Sequence, residues 1–253
     1  MLIDVHTHLM GPQYKQQRPL LLKAMERYGL SKIFVSGLCA VPNPTAEMLR
    51  LYNNEVYDFK KENPDRVEAY AYVSPELPGA IEEMRYGIED HGAVGVKIWM
   101  STLCDDHAVD KVAEKLIDYG MPILIHAFHK AVGQLPNETL GNHVANLARR
   151  YPELKIIMAH FGGNAYHGIP PIRSCKNVWV DSSDSIFRGD ELQYVIEQIG
   201  AERILFGSDM PGNFIVNLGQ VYELSLSAEQ RDAILYKNAL RVFDTSFRLG
   251  RGN

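Results

Sequence analysis

The chain has 253 residues, is 46% hydrophobic and carries a formal net charge of -5. That is enough apolar material for one large core and suits a single α/β barrel domain over the whole chain, 1–253, better than two small domains. Lysines and arginines are scattered, which excludes a dedicated nucleic-acid or anionic-membrane surface. The three cysteines, Cys39, Cys104 and Cys175, are too few and too far apart for a disulfide framework or a Cys-x-x-Cys zinc site. No stretch approaches the roughly 18 unbroken apolar residues of a membrane helix, and no basic-then-apolar leader opens the chain. The expectation is a soluble, cytoplasmic protein with a small-molecule partner, no nucleic acid and no membrane; assembly as a homo-oligomer is compatible with this reading.

In chain order, short apolar runs alternate with amphipathic segments. The runs at 2–6, 32–37, 67–73, 93–98, 122–126, 155–160, 177–182 and 203–208 predict strands. They are rich in Val and Ile and mostly lack polar alternation, as in a parallel sheet covered by helices. Helices are predicted at 18–28, 45–62, 79–90, 108–119, 138–150, briefly near 170–175, at 190–199, and as a last pair at 217–224 and 228–244. Thr45 and Ser227 offer N-caps, the latter with Gln230 completing a capping box, while Asn63-Pro64 and Tyr151-Pro152 stop the helices before them. Gly29, Gly92 and Gly120 stand where left-handed C-caps fit. Phe161 to Ile172, with two adjacent glycines and two adjacent prolines, predicts a structured loop and not a helix. Eight strands with interleaved helices predict a (β/α)8 (TIM) barrel.

The chemistry gathers at the ends of the runs. His6 and His8 close the first; residues two apart on a strand share a face, so both imidazoles can converge on one ion. Lys97, His126, His160 and Asp209 close four further runs. In a parallel barrel these ends surround one mouth. Imidazoles with a carboxylate suit zinc and neighbouring divalent ions, with a coordinated water as the expected nucleophile. Asp4 is expected one layer below His6 on the same side, hydrogen-bonded to a ligand histidine. Trp99 and Phe128 follow strand ends and either pack or line a substrate pocket. Arg173 and Arg188 are candidates for a substrate carboxylate, against the plainer reading of exposed arginines. For Lys97 the plain reading is a buried ion pair; His91, His107, His143 and His167 read as solvated or packing residues.

Ile3-Asp-Val-His-Thr-His8, the Gly-x-Lys strand at Lys97, histidines ending the fifth and sixth strands, and Phe206-Gly-Ser-Asp-Met-Pro211 together resemble the amidohydrolase superfamily. Ala159-His-Phe-Gly-Gly163 and Gly207-Ser-Asp-Met-Pro211 are most similar to its amidohydrolase-related (amidohydrolase 2) branch. The resemblance implies a metal-dependent barrel enzyme: His6, His8, His126 and Asp209 as metal ligands, Asp209 also as general base, and His160 as a catalytic residue or a ligand of a second ion. It implies that Lys97 bridges two ions as a carbamate or contacts substrate. One ion, most readily zinc, is favoured over two. The expected activity is hydrolysis of an amide, cyclic amide, ester or lactone bond in a small carboxylated molecule. Non-oxidative decarboxylation of a small carboxylic acid is the alternative, and a non-catalytic metal-binding barrel stands behind both.

Overall fold

The computed structural model describes residues 1–39, 41–183 and 190–243. Its strands are β1 (Ile3–Met10), β2 (Lys32–Leu38), β3 (Val67–Ala69), β4 (Ala71–Tyr72), β5 (Val96–Ile98), β6 (Pro122–Ile125), β7 (Lys155–Met158), β8 (Val178–Asp181) and β9 (Ile204–Leu205). They pair in parallel in two runs, β1-β2-β3 and β4 through β9 in sequence order. The runs close on each other: Val5 N donates to Phe206 O at 2.9 Å, and Thr7 bridges Asp209 in parallel register. β3 and β4 are two halves of one barrel strand. Val67–Ala69 pairs with β2, Ala71–Tyr72 with β5, and between them the Tyr70 hydroxyl donates to Val5 O across the interior. The result is the eight-stranded (β/α)8 barrel.

Period-two alternation sorts the strand residues. Ile3, Val5, Phe34, Tyr70, Leu124, Ile157 and Leu205 fill the lower interior, closed from below by Ala239, Val242 and Phe243. Their neighbours Ile33, Val35, Ile123, Ile125, Ile156 and Met158 face the helices. In β1 the alternation is broken once: Asp4 pairs with Ile33 and Thr7 with Val35, three residues of β1 against two of β2. This bulge re-aims the strand. Below it Ile3 and Val5 point inward; above it His6 and His8 do.

The helices are α1 (Tyr14–Tyr28), α2 (Ala46–Glu62), α3 (Ala80–Arg85, continued by a wider turn to Asp90), α4 (Asp110–Tyr119), α5 (Gly141–Arg150), α6 (Ala165–Ile172), α7 (Glu191–Ile199), α8 (Phe214–Glu223), and a last segment of α9 (Ala228–Asp232), a wider turn and α10 (Asn238–Val242). Gly29, Gly92 and Gly120 have φ of 70°, 65° and 65°. Thr45 caps α2 and Ser227 makes its capping box with Gln230. Among the described residues no helix is long and apolar enough to cross a membrane.

The expectation of a loop over Phe161 to Ile172 is corrected. Asn164 caps a helix there, its side chain accepting from Tyr166 N, and Ala165, Gly168, Ile169 and Ile172 form a buried stripe. The two prolines, Pro170 and Pro171, fall in its last turn, where each removes one backbone donor and the helix ends directly after them. α5 starts at Gly141, not at 138, which leaves Glu138 outside the helix. β1 and β2 run past their predicted ends, to Met10 and Leu38, whereas β4, β6, β7, β8 and β9 stop short of theirs because their mouthward residues leave the ladder. Where β2 leans outward, with Gly37 against the Tyr52 carbonyl, the Asn53 amide replaces the missing neighbour strand: it donates to Tyr72 O and accepts from Tyr72 N, both at 2.9 Å.

The opposite end of the barrel is tied by Arg203, whose guanidinium donates to the carbonyls of Val178, Arg173, Ile172 and Cys175 at 2.7–3.2 Å. It joins the end of α6 to the starts of β8 and β9. Removing it leaves several buried acceptors without a donor, each worth about 1–3 kcal/mol. Arg203→Met is expected to lower stability by roughly 2–4 kcal/mol in guanidinium denaturation, with Arg203→Lys intermediate.

Candidate metal centre

β1 delivers His6 and His8 side by side, with Nε2 atoms 2.9 Å apart and rings nearly perpendicular. Asp209 Oδ1 lies 3.3 Å from His8 Nε2 and 3.7 Å from His6 Nε2. Each ring is held from behind. His6 Nδ1 is 2.8 Å from Asp181 Oδ2, and His8 Nδ1 is 2.7 Å from Ser36 Oγ. A carboxylate can only accept, so His6 carries its proton on Nδ1 and offers the Nε2 lone pair forward. The Ser36 contact permits the same for His8.

Burial holds His6 well below the ordinary imidazole value, and Lys97 adds to it; burial also lowers His8. Neither ring therefore gains a proton to relieve the contact. Burial pushes Asp209 upward, but His8 and the other surrounding histidines outweigh it and leave the carboxyl well below its usual range. Three electron-rich atoms thus share one corner. Bonds of about 2.0–2.1 Å to a single ion place neighbouring ligand atoms roughly 3 Å apart. His6, His8 and Asp209 fit a divalent cation.

Lys97 is fully buried and sets Nζ 3.2 Å from His6 Nε2; burial lowers its pKa to about 8. His160 turns Nδ1 to the Ser183 carbonyl at 2.9 Å and brings Nε2 within 4.0 Å of Asp209 Oδ1. His126 stands one ring further along than a four-ligand set requires, its Nδ1 3.2 Å from His160 Nε2. Burial lowers it to about 4, against the hydrogen bond with Glu138. Its ring lies parallel to Phe128, with centroids 5.9 Å apart, and edge-on to Trp99 at 6.4 Å. Both aromatic candidates are therefore at the mouth.

Two other candidates move. Asp4 does not hydrogen-bond a ligand ring: the bulge turns it to the helix side, where its carboxylate accepts from His6 N at 3.0 Å and from Ser208 N and Oγ at 3.1 and 2.6 Å. It fixes the backbone that carries the ligands, and burial raises its pKa to about 7. Arg173 ends α6, is exposed, pairs with Gln198, and gives its carbonyl to Arg203. It belongs to the opposite face of the barrel, because Ala165–Ile172 is a helix that carries the chain away from the mouth. Arg188 lies outside the described residues.

Asp181, Ser36, Ser183 and Glu138 were not singled out from sequence. Asp181 ends an apolar run as the ligands do, so the same rule finds it. It accepts from His160 N and Ser183 N as well as from His6. Ser36 lies within the second run. Glu138 has no local signal, being a loop residue whose partner lies twelve positions back.

Purified protein is expected to carry roughly one divalent ion per chain by elemental analysis, and His6→Ala and Asp209→Asn to lose it. Asp181→Asn should keep the fold but weaken metal affinity by about 10- to 100-fold. Full occupancy in both ligand variants would eliminate this centre.

A family model described as Amidohydrolase (Amidohydro_2) matches residues 3–245. Among curated protein sequences none matches. Similar solved structures include 2,6-dihydroxybenzoate decarboxylase from Rhizobium, with 19% identity, a TM-score of 0.76, and coverage of 96% of this chain and 98% of that one. Another is 5-carboxyvanillate decarboxylase from Novosphingobium aromaticivorans complexed with manganese, with 16% identity, a TM-score of 0.75 and 96% of each chain covered. A third is 4-oxalomesaconate hydratase from Rhodopseudomonas palustris, with 18% identity, a TM-score of 0.72, and 97% and 96% covered. At these identities the structures establish the shared barrel, and the match over nearly the whole chain establishes that this protein belongs to the amidohydrolase family, in its amidohydrolase 2 branch.

Proposed function

We propose that this protein is a metal-dependent lyase that removes carbon dioxide from a small, flat carboxylic acid. The observation that carries the proposal is the convergence, inside an aromatic surround, of one buried cation and the His6–His8–Asp209 corner. Lys97 Nζ reaches that corner at 3.2 Å from His6, while Trp99 and Phe128 flank His126 and Phe128 meets His160 edge-on at 5.7 Å. A planar acid fits with its carboxylate towards Lys97 and its plane against these rings. A divalent cation in the corner, zinc by donor chemistry or manganese by analogy with the related decarboxylase, would supply a Lewis acid for a substrate oxygen.

Decarboxylation breaks the bond to the carboxyl carbon, leaves the electron pair on the remaining carbon and replaces carbon dioxide by a proton. His160 is the group placed to deliver that proton, since Ser183 holds Nδ1 from behind while Nε2 faces the mouth. Trp99 and Phe128 keep water scarce around the reacting carboxylate. The decarboxylases of the same barrel and family branch support this reading.

Hydrolysis of an amide, cyclic amide, ester or lactone is the second reading, and Asp209 favours it. Its Oδ1, 3.3 Å from His8 Nε2 at the edge of the corner, is placed to take a proton from water.

The two separate on one screen. Protein loaded with manganese or zinc is incubated in water carrying a heavy-oxygen label with hydroxybenzoates and other unsaturated acids, and with lactones and cyclic amides. The expected result is carbon dioxide release with no label in the organic product, and loss of turnover in His160→Ala. Label in the product without carbon dioxide would assign hydrolysis, and His160→Ala would then retain activity reduced by about 10²- to 10³-fold. Lys97→Ala is expected to leave the metal content unchanged while weakening binding of the acid; a metal content halved by that substitution would instead make Lys97 a bridge between two ions.

A further inference from the structure

We infer that Glu138 is the positioning residue of His126: by accepting the Nε2 proton it fixes which ring nitrogen faces the mouth. This rests on the reading that the mouth histidines serve a divalent cation, and it extends that reading to a residue of a distant loop.

The Glu138 carboxylate is buried, with both oxygens engaged. Oε1 lies 3.2 Å from His126 Nε2. Oε2 takes Lys130 Nζ at 2.8 Å and Gln134 Nε2 at 2.9 Å. Since an ionised carboxylate only accepts, its contact with His126 requires a proton on Nε2. Nδ1 then keeps its lone pair, 3.2 Å from His160 Nε2. The aromatic neighbours cannot make this choice. Phe128 lies within 6° of parallel to the imidazole and Trp99 meets it at 75°, which fixes the ring plane. A half-turn about the bond to Cβ preserves that plane and exchanges Nδ1 for a carbon. Of the two polar contacts that distinguish the orientations, Glu138 at Nε2 and His160 at Nδ1, Glu138 is the one that can only accept and so places the proton.

The loop holds Glu138 in place through bonds that do not involve His126. Phe128 N donates to Thr139 O at 2.9 Å, Gln134 Nε2 to Phe128 O at 2.9 Å, and Lys130 N to Gln134 Oε1 at 2.9 Å. From the preceding loop, Cys104 N donates to Thr139 Oγ1 at 3.0 Å, and Asn137 Nδ2 reaches Ser101 O at 2.9 Å. The carboxylate is thus presented to the ring by a folded loop. The arrangement parallels the other mouth histidines, with Asp181 behind His6, Ser36 behind His8 and the Ser183 carbonyl behind His160.

Because Glu138 also binds Lys130, the test must separate orienting the ring from stapling the loop. Full-length wild type, Glu138→Ala, Glu138→Gln and Lys130→Ala are stripped of metal and titrated with manganese, and the His126 tautomer is read from histidine nitrogen chemical shifts of the metal-free proteins. Glu138→Ala is expected to move His126 off the Nε2-protonated tautomer and, since His126 stands beside the His6–His8–Asp209 corner, to weaken manganese binding by up to about 10-fold. Glu138→Gln retains an acceptor oxygen and should restore that tautomer and most of the affinity. Lys130→Ala should match wild type in both readouts. Damage from Lys130→Ala equal to that from Glu138→Ala would make Glu138 a loop staple and overturn the inference, as would an unchanged tautomer in Glu138→Ala. If wild type binds no manganese, the metal reading fails on its own, and the tautomer measurement still decides the role of Glu138.

Discussion

The approach of the His6 and His8 Nε2 atoms to 2.9 Å, with Asp209 Oδ1 beside both, is the constraint around which this mouth is built. Lys97 Nζ stands 3.2 Å from His6 Nε2, and a coordinated ion would turn the same imidazole nitrogens into ligands. The surroundings prevent the simple escape of rotating the rings or protonating them. Asp181 and Ser36 occupy the outer nitrogens, and burial disfavours a second proton on either ring. The β1 bulge belongs to the same arrangement, for with strict alternation Asp4, His6 and His8 would share one face, and the extra residue is what lets His6 and His8 turn inward while Asp4 stays on the helix side.

The backbone is strained at the same place. Among the described residues, the non-glycine positions with positive φ are His160, Phe161 and Asp209, at 60°, 49° and 65°. Each sits just beyond a strand, and two of the three carry candidate site groups. A left-handed turn at a non-glycine residue costs on the order of 1–3 kcal/mol, and it persists here because the next atoms leave no alternative. His160 N is taken by Asp181, Asp209 N by His6 O, and a side chain at Gly168 would strike the Phe161 carbonyl. The polar bonds that hold the donors also hold the strained turns.

The sequence exposed what period and position encode. Apolar runs ending in His6, His8, Lys97, His126, His160 and Asp209 revealed the barrel and most of the mouth, because a parallel barrel turns the end of every strand into a common rim. What stayed hidden depends on irregularity. A bulge leaves no mark in the apolar pattern, so Asp4 was expected on the wrong side of β1. The helical stripe Ala165, Gly168, Ile169 and Ile172 was masked by the glycines and prolines around it, and with it went the true place of Arg173. Glu138 is invisible for a different reason: its contact with His126 is created by the closure of a loop, and no spacing rule encodes that.

The two ends of the barrel divide the work. At the lower end, Arg203 holds four carbonyls and Asn177 Nδ2 reaches three more, those of Ala148, Tyr151 and Leu154, over an interior filled by Phe34, Tyr70, Leu124 and Phe243. At the mouth the ladders stop early: β9 keeps two residues and β5 three. Beyond those points side chains replace strand neighbours, as Asn53 does for Tyr72 and Asp181 for His160 and Ser183. The geometry of the donors is therefore set by individual hydrogen bonds, each removable by one substitution, while stability resides in the apolar layers below. That separation lets the mouth be altered one residue at a time without unfolding the barrel that presents it.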